Sequence, residues 1–270
     1  MKLEIPECLD KPVENTLTNI TDKPSKEIGE IFNDLLRLIF GGVHFFAEKQ
    51  QMKYKYALEQ FKNKCEENIK SIPESRRAEP DLQILAGALE DSRFCLESEI
   101  LRLMFANLIS GSLDSAKKAS IFPSFSNIIK QMSTGEARLF AALNSDGAFP
   151  VVEYRVLLNQ TRYKILAPNV LLARNENLDW ESISQRMVEL SSLQRLGLVL
   201  LAFDKTIEDE NYLRYINNNA YEELKKENAP LTVELKKGVI LLTPIGNELW
   251  NVCCKDSDFP KIDGVPSTFL

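Results

Sequence analysis

PDLQILAGALEDSRFCLESEILRLMFANLISGSLDSAKKASIFPSFSNIIKQMSTGEARLFAAL, residues 80–143, is the stretch whose reading decides the fold. From Leu96 its apolar residues fall at Leu96, Ile100, Leu103, Met104 and Leu108, the recurrence of a helix face turned toward a core. The spacing predicts a buried helix over 100–109. Leu101, Phe105 and Ile109 widen the stripe until only Glu99, Arg102, Ala106 and Asn107 are left for another face, so this helix is expected to be central, with neighbours on more than one side. Ser110-Gly111-Ser112 reads as its stop, because glycine reaches the left-handed C-cap conformation without a Cβ clash. Ser133-Thr134-Gly135-Glu136 reads as a capping box opening a further helix over 134–143.

Upstream, Pro6, Pro12 and Pro24 break the first residues, and Ile28, Ile31, Phe32, Leu35, Leu36 and Ile39 then recur at helical spacing as far as Gly41-Gly42. The segment over 35–47, LLRLIFGGVHFFA, is the most apolar in the chain. A spanning helix needs about 20 apolar residues, and this segment is bounded by Asp34 and Glu48 with Arg37 inside, so it cannot cross a membrane alone. Two readings stay open: a buried helix pair, or shallow membrane-surface binding through residues 35–46, with Phe45 and Phe46 beside the basic helix that follows. That helix is expected over 48–72, where Pro73 bars continuation. Between Lys49 and Arg77, eight bases (Lys49, Lys53, Lys55, Lys62, Lys64, Lys70, Arg76, Arg77) stand against four acids (Glu59, Glu66, Glu67, Glu74), which is eight minus four, or +4. With Tyr54 and Tyr56 interleaved, this block has the makings of a surface for a phosphate backbone or an anionic headgroup. Glutamates at pairing distance give the plainer reading of a solvated helix face.

Downstream, the turn cluster Asn144-Ser145-Asp146-Gly147 opens a second module, expected over 144–255. Residues 149–158 are open between helix and strand, and Pro168 with the polar run to Asn177 reads as loop. Asp179 is placed to cap a helix lined by Ile183, Met187, Leu190, Leu193 and Leu196 and ended by Gly197. Residues 198–203 then read as a buried strand. Residues 204–230 form a polar insertion with a helix expected around 212–226; from Asp204 to Glu227 it carries seven acids and four bases, a net of −3. Residues 231–243 read as a strand pair or one long strand, and Pro244 opens a last helix from the first-turn position it tolerates. The tail over 256–270 is expected to be loosely held.

The texts LQRLGLV and LLTPIG, with a hairpin between them, look like a winged helix-turn-helix domain of the kind found in bacterial regulators, with the 134–143 helix as its first. In such a domain the helix after Asp179 would offer Gln185, Arg186, Gln194 and Arg195 to DNA, together with Glu181 and Glu189, which would face phosphates. Its acids and the acidic insertion favour protein binding or dimerisation instead. The runs PDLQILAGALE, SEILRLMFANLISGSLD and FPSFSNIIKQMSTGEARLFAAL, with LLRLIFGGVHFFAEKQQMKYKYALEQFKNKCEENIKSIPES upstream and VILLTPIGNELW downstream, are similar to the abortive infection alpha family of bacterial phage-resistance proteins. The resemblance covers most of the chain and implies a role in defence against phage, with no catalytic residues to carry over. One departure is visible: where the family pattern has a His before the Pro-Ser-Phe turn, this chain has Phe122.

The expected fold class is mainly α: a helical module over 1–143, family-like over about 28–143, followed by a winged-helix-like α+β module. A chain of 270 residues can bury roughly 70–75% of its unfolded surface. Its 44% hydrophobic and 27% charged composition is that of an ordinary globule, and a net charge of −6 with pI near 5.2 argues against a nucleic-acid footprint over the whole surface. Five cysteines, Cys8, Cys65, Cys95, Cys253 and Cys254, include no CxxC pair, which fits reduced thiols in a cytoplasm, and the adjacent Cys253 and Cys254 read as packing at a helix end. His44 is the one histidine, so no HExxH zinc site exists, and there is no GxxxxGK[ST], GxGxxG or GxSxG text. No catalytic, metal or cofactor residue is assigned. The expectation is a cytoplasmic or inner-membrane-peripheral binding protein, not an enzyme, whose partner is a phage or host protein, with nucleic acid, a membrane surface and a second copy of the chain as the other partners to weigh.

Overall fold

The computed structural model describes residues 36, 37, 39, 48–79, 81–143, 147–173, 178–255, 259 and 265–266, with 48–51 and 265–266 by backbone alone. His44, Phe45, Phe46 and Cys8 lie outside the described residues, and so does most of the apolar segment, of which Leu36 and Ile39 are buried and Arg37 is exposed. The chain divides into two compact units: residues 1–134 with 252–254, and residues 135–251 with 255–270.

The described part of the first unit is helical: α1 (Glu48–Ser71), α2 (Leu82–Ser92), α3 (Glu99–Ser112) and α4 (Ser124–Lys130). α3 packs against α1, α2 and α4, the central place its wide apolar stripe predicts. Met104, Phe105, Leu108 and Ile109 are fully buried, and so is Ala106, which the sequence reading left for an outer face. α1 turns Tyr54, Ala57, Phe61, Cys65 and Ile69 inward, a one-per-turn stripe that gives it a single buried side. Gly111 does not end α3. It stays helical, and the cap is Leu113 in the right-handed conformation. The glycine serves packing, since a Cβ there would stand 3.2 Å from Ile121 Cδ1 and 3.4 Å from Val252 Cγ1.

The second unit holds α5 (Thr134–Ala142, all but its first residue), β1 (Gly147–Leu157), β2 (Tyr163–Val170), α6 (Trp180–Arg195), β3 (Val199–Ala202), α7 (Leu213–Ile216), α8 (Asn219–Glu227), β4 (Val233–Leu242) and α9 (Pro244–Cys253, as far as Asn251). The strands form an antiparallel sheet in the order β2-β1-β4-β3, and β5 (Val265–Pro266) pairs with the start of β1. Residues 149–158 thus prove to be strand as far as Leu157, and 231–243 hold one long strand. Pro168, read as loop, lies inside β2. A proline is tolerated there because β2 is a sheet edge and its ladder slips between Val152 and Tyr154, a bulge beside which Asn169 adopts φ 53°.

The 204–230 segment, read as a polar insertion, contributes side chains to the core of the second unit. Its single expected helix is three pieces, a 3-10 turn over Asp209–Tyr212, then α7 and α8, because Asn218 caps α8 by accepting from the Ala220 N–H at 2.8 Å. Among its acids sit Ile207, Tyr212, Tyr215, Tyr221 and Leu224, which join Val152, Tyr154, Val156 and Val239 of the sheet in one apolar core. Each tyrosine hydroxyl is satisfied on backbone. Tyr215 donates to Pro150 O at 2.5 Å and accepts from the Leu172 N–H at 3.3 Å; Tyr154 donates to Tyr215 O, Tyr212 to Gly238 O and Tyr221 to Val233 O. Burial, the first cause in each case, pushes all four phenols above their ordinary value.

The texts LQRLGLV and LLTPIG meet in space. Gly197, at φ 75°, closes α6 as a Schellman motif: its N–H reaches Gln194 O and the Leu198 N–H reaches Leu193 O. Thr243 then caps α9, its hydroxyl accepting from the Gly246 N–H at 3.0 Å and donating to Gly197 O, while its own N–H donates to Leu198 O. Pro244 takes the first helical position as expected. One helix end and one helix start are therefore clamped back to back.

Candidate interaction surface

Alternation along β1 assigns its side chains to two faces of the sheet. Val152, Tyr154 and Val156 take the tyrosine core; Phe149, Val151, Glu153, Arg155 and Leu157 take the other face. Along that second face burial fades, from Phe149 and Val151, both sealed, to Arg155 and Leu157, half-buried. The strand register lays out what this open half presents. Arg155 lies between Ile165 of β2 and Glu234 of β4, Leu157 is opposite Tyr163, and Glu153 is opposite Lys236.

Within this array the Arg155 guanidinium pairs with the Glu153 carboxylate, which is 8% exposed, and stacks 4.0 Å from the centre of the Tyr163 ring. Buried carboxylates are uncommon unless paired, and here the pair is held flat by an aromatic ring. Tyr163 and Ile165 are themselves nearly half exposed, 47% and 44%. The hairpin that presents them is set by Asn159, whose side-chain oxygen accepts from the N–H groups of Thr161 and Arg162 at 3.0 and 2.8 Å. The surface is a strand platform on which tyrosine, isoleucine and arginine lie beside Glu234 and Lys236 of β4, and tyrosine and arginine are residue types that carry binding energy at protein interfaces.

The residues singled out in the sequence do not form one surface. Lys53, Lys55 and Lys62 are exposed on α1, but at about 100° per residue Lys55 and Lys62 share one flank while Lys53 lies about 160° around the helix from Lys55. Lys62 is within 3.8 Å of Glu66, and Lys64 and Lys70 also have glutamates at 3.1 and 3.9 Å. Arg77 is exposed, but Arg76 is committed: its fork grips both oxygens of Asp114. In the second unit Arg186 donates to Leu171 O at 3.2 Å, and Arg195 is exposed. Sequence reasoning missed Arg155 and Tyr163. The signal was present as Glu153-x-Arg155 alternating with Val152, Tyr154 and Val156, a period of two that marks a half-solvated strand.

Asp114 is the anchor of the first unit's loops. Besides the Arg76 fork it accepts from the Ala116 N–H at 3.0 Å, and it bridges backbone with Arg77. Burial pushes its carboxyl up, but the Arg76 and Ala116 hydrogen bonds and the charges of Arg76 and Lys117 outweigh that and hold it below its ordinary value. A group depressed in this way contributes stability that is in place above its unfolded value, about pH 4, and is lost as pH falls through the folded one. The gap in thermal midpoint between the native chain and Asp114→Asn should therefore be full at neutral pH and close on acidification. A gap that holds constant from neutrality to acid would contradict this.

Among the described residues no three His, Cys, Asp or Glu side chains are grouped to hold a metal ion. Cys65, Cys253 and Cys254 are fully buried thiols outside any disulfide, and burial pushes those of Cys65 and Cys253 well up. No described helix is long and apolar enough to cross a membrane. Phe122 is 47% exposed, with its ring set edge-on to buried Phe125 at 5.5 Å.

No curated protein matches the sequence. A solved structure that does match is that of an uncharacterized protein from the hydrocarbon-degrading marine bacterium Alcanivorax borkumensis SK2, 18% identical, with a TM-score of 0.33 over 51% of this chain and 94% of that one. The sequence model of the family described as abortive infection alpha matches residues 53–253, which run from α1 to the end of α9, and the chain belongs to that family.

Proposed function

We propose that this chain serves abortive-infection defence by recognition and not by turnover, with the open half of the sheet as the surface that meets a phage or host protein. The defence role follows from the family. The recognition role is carried by one observation: Tyr163, Ile165 and the stacked Arg155 converge on a strand platform, beside Glu234 and Lys236. A winged-helix reading of the second unit is supported by α6 leading through Gly197 into the antiparallel pair β3 and β4, and we read that domain as protein-binding. Arg186 is spent on a carbonyl, and Glu181 is exposed on the same helix as Arg195, which weakens any contact with phosphates.

Efficiency of plating tests the proposal. Cells expressing Tyr163→Asp/Ile165→Asp at the native protein level should lose protection from phage, while Lys55→Glu/Lys62→Glu should retain it. Protection that survives the first variant and fails in the second would move the working surface to α1. An electrophoretic shift of nucleic acid that weakens steeply with salt would overturn the protein-binding reading.

A further inference from the structure

On the tyrosine face of the sheet, two exposed patches carry charges with no partner among the described residues. One lies at the hairpin tip, where Arg162 and Lys164 stand near Leu158 and Leu231; the Leu157 N–H to Thr232 O bond extends the ladder, so that Leu158 and Leu231 follow on neighbouring strands. The other is Glu208 and Glu210, followed by exposed Leu213 and Ile216. Their neighbours are spent. Asp209 takes Lys237 at 2.8 Å, Glu222 takes Lys225 at 2.7 Å, and Arg214 donates to the carbonyls of Leu172 and Asn211. Asp204 and Lys205 offset each other, and no acid occurs in the sequence between Glu153 and Glu176. The hairpin tip thus carries basic charge and the 208–210 run acidic charge, each beside bare aliphatic side chains, while Lys226 and Glu227, at the end of α8 before the turn to Leu231, offset each other.

The two patches cannot satisfy each other within one molecule. Tyr212, next to the acidic run, is tied to Gly238, which pairs with Val151, whereas the hairpin begins beyond Leu157. Six residues of strand, roughly 20 Å, lie between them, several times the reach of an ion pair. We infer that the chain pairs with a second copy of itself about a two-fold axis, the basic hairpin tip of each copy docking on residues 208–216 of the other. Two-fold pairing makes both contacts at once and leaves neither charge unmatched. The inference goes beyond the partner-binding reading, because it uses the opposite face of the sheet.

Sedimentation velocity on the full chain tests it. The native protein should be dimeric at about 0.05 M salt and dissociate toward monomer at about 0.5 M. Arg162→Glu/Lys164→Glu and Glu208→Lys/Glu210→Lys should each weaken pairing at least about tenfold, since each turns both contacts repulsive. An equal mixture of the two variants should regain the dimer, because both contacts become attractive again. A native chain that is monomeric at low salt would overturn the inference, as would variants that pair normally or a mixture that stays monomeric. All four side chains are exposed and unpaired among the described residues, so circular dichroism should be unchanged.

Discussion

Gly246→Ala should destabilise the second unit by about 1–3 kcal/mol, the cost of forcing a methyl group into a packed contact. A Cβ on Gly246 would run into the Leu198 carbonyl oxygen, with the carbonyl carbon at 3.0 Å, and that carbonyl is fixed by the Thr243 N–H. Neither side can give, because the Schellman turn after α6 and the cap of α9 are the two halves of one clamp. Gly87, inside α2, provides the opposite case. The nearest atom to a Cβ there is Ser126 Oγ at 3.9 Å, so Gly87→Ala should stabilise by about 0.5–1 kcal/mol through the lower backbone entropy of the unfolded chain. Urea unfolding read by tryptophan fluorescence reports the first effect cleanly, since both tryptophans, Trp180 and Trp250, belong to the second unit. An unchanged midpoint for Gly246→Ala would mean that the clamp is loose.

Tyr215 is the second site of large expected effect. It is fully buried, and its hydroxyl holds Pro150 of β1 and Leu172 in place at once. Tyr215→Phe keeps the ring and strands a carbonyl and an N–H away from water, at a cost of about 1–3 kcal/mol. Tyr215→Ala also empties the space and should cost about 3–5 kcal/mol. If the 204–230 segment were a peripheral insertion, both changes would be nearly silent in the same tryptophan-monitored unfolding curve. The raised phenol makes a further point: Tyr215 stays protonated through the ordinary pH range, so the donor bond to Pro150 is not titrated away near neutrality.

The helical half was legible because its signal is periodic and local. The recurrence from Leu96 to Leu108 located α3, and Asp179 announced α6, where its carboxylate does accept from the Ser182 N–H at 2.9 Å. Glycine misled at one position and informed at another: Gly111 and Gly197 read alike as helix stops, but only Gly197 adopts a positive φ, while Gly111 answers to neighbours distant in sequence. Tertiary demands of that kind leave no local trace. The same limit hid the core role of Tyr212 and Tyr215, which stand among acids and are recognisable only once β4 and β1 supply the carbonyls they bind. It also hid the site. Arg155 and Tyr163 are eight residues apart and become neighbours only through the hairpin register, whereas the lysines of α1 look like a block in one dimension and spread around the helix in three.

The most direct measurement is photo-crosslinking in phage-infected cells, from a reactive side chain placed at position 163 or at position 55. The account predicts a protease-sensitive, nuclease-resistant adduct from position 163 that is absent in uninfected cells or competed away by native protein, with none from position 55. An adduct that nuclease removes, or one that forms from position 55 alone, would contradict it.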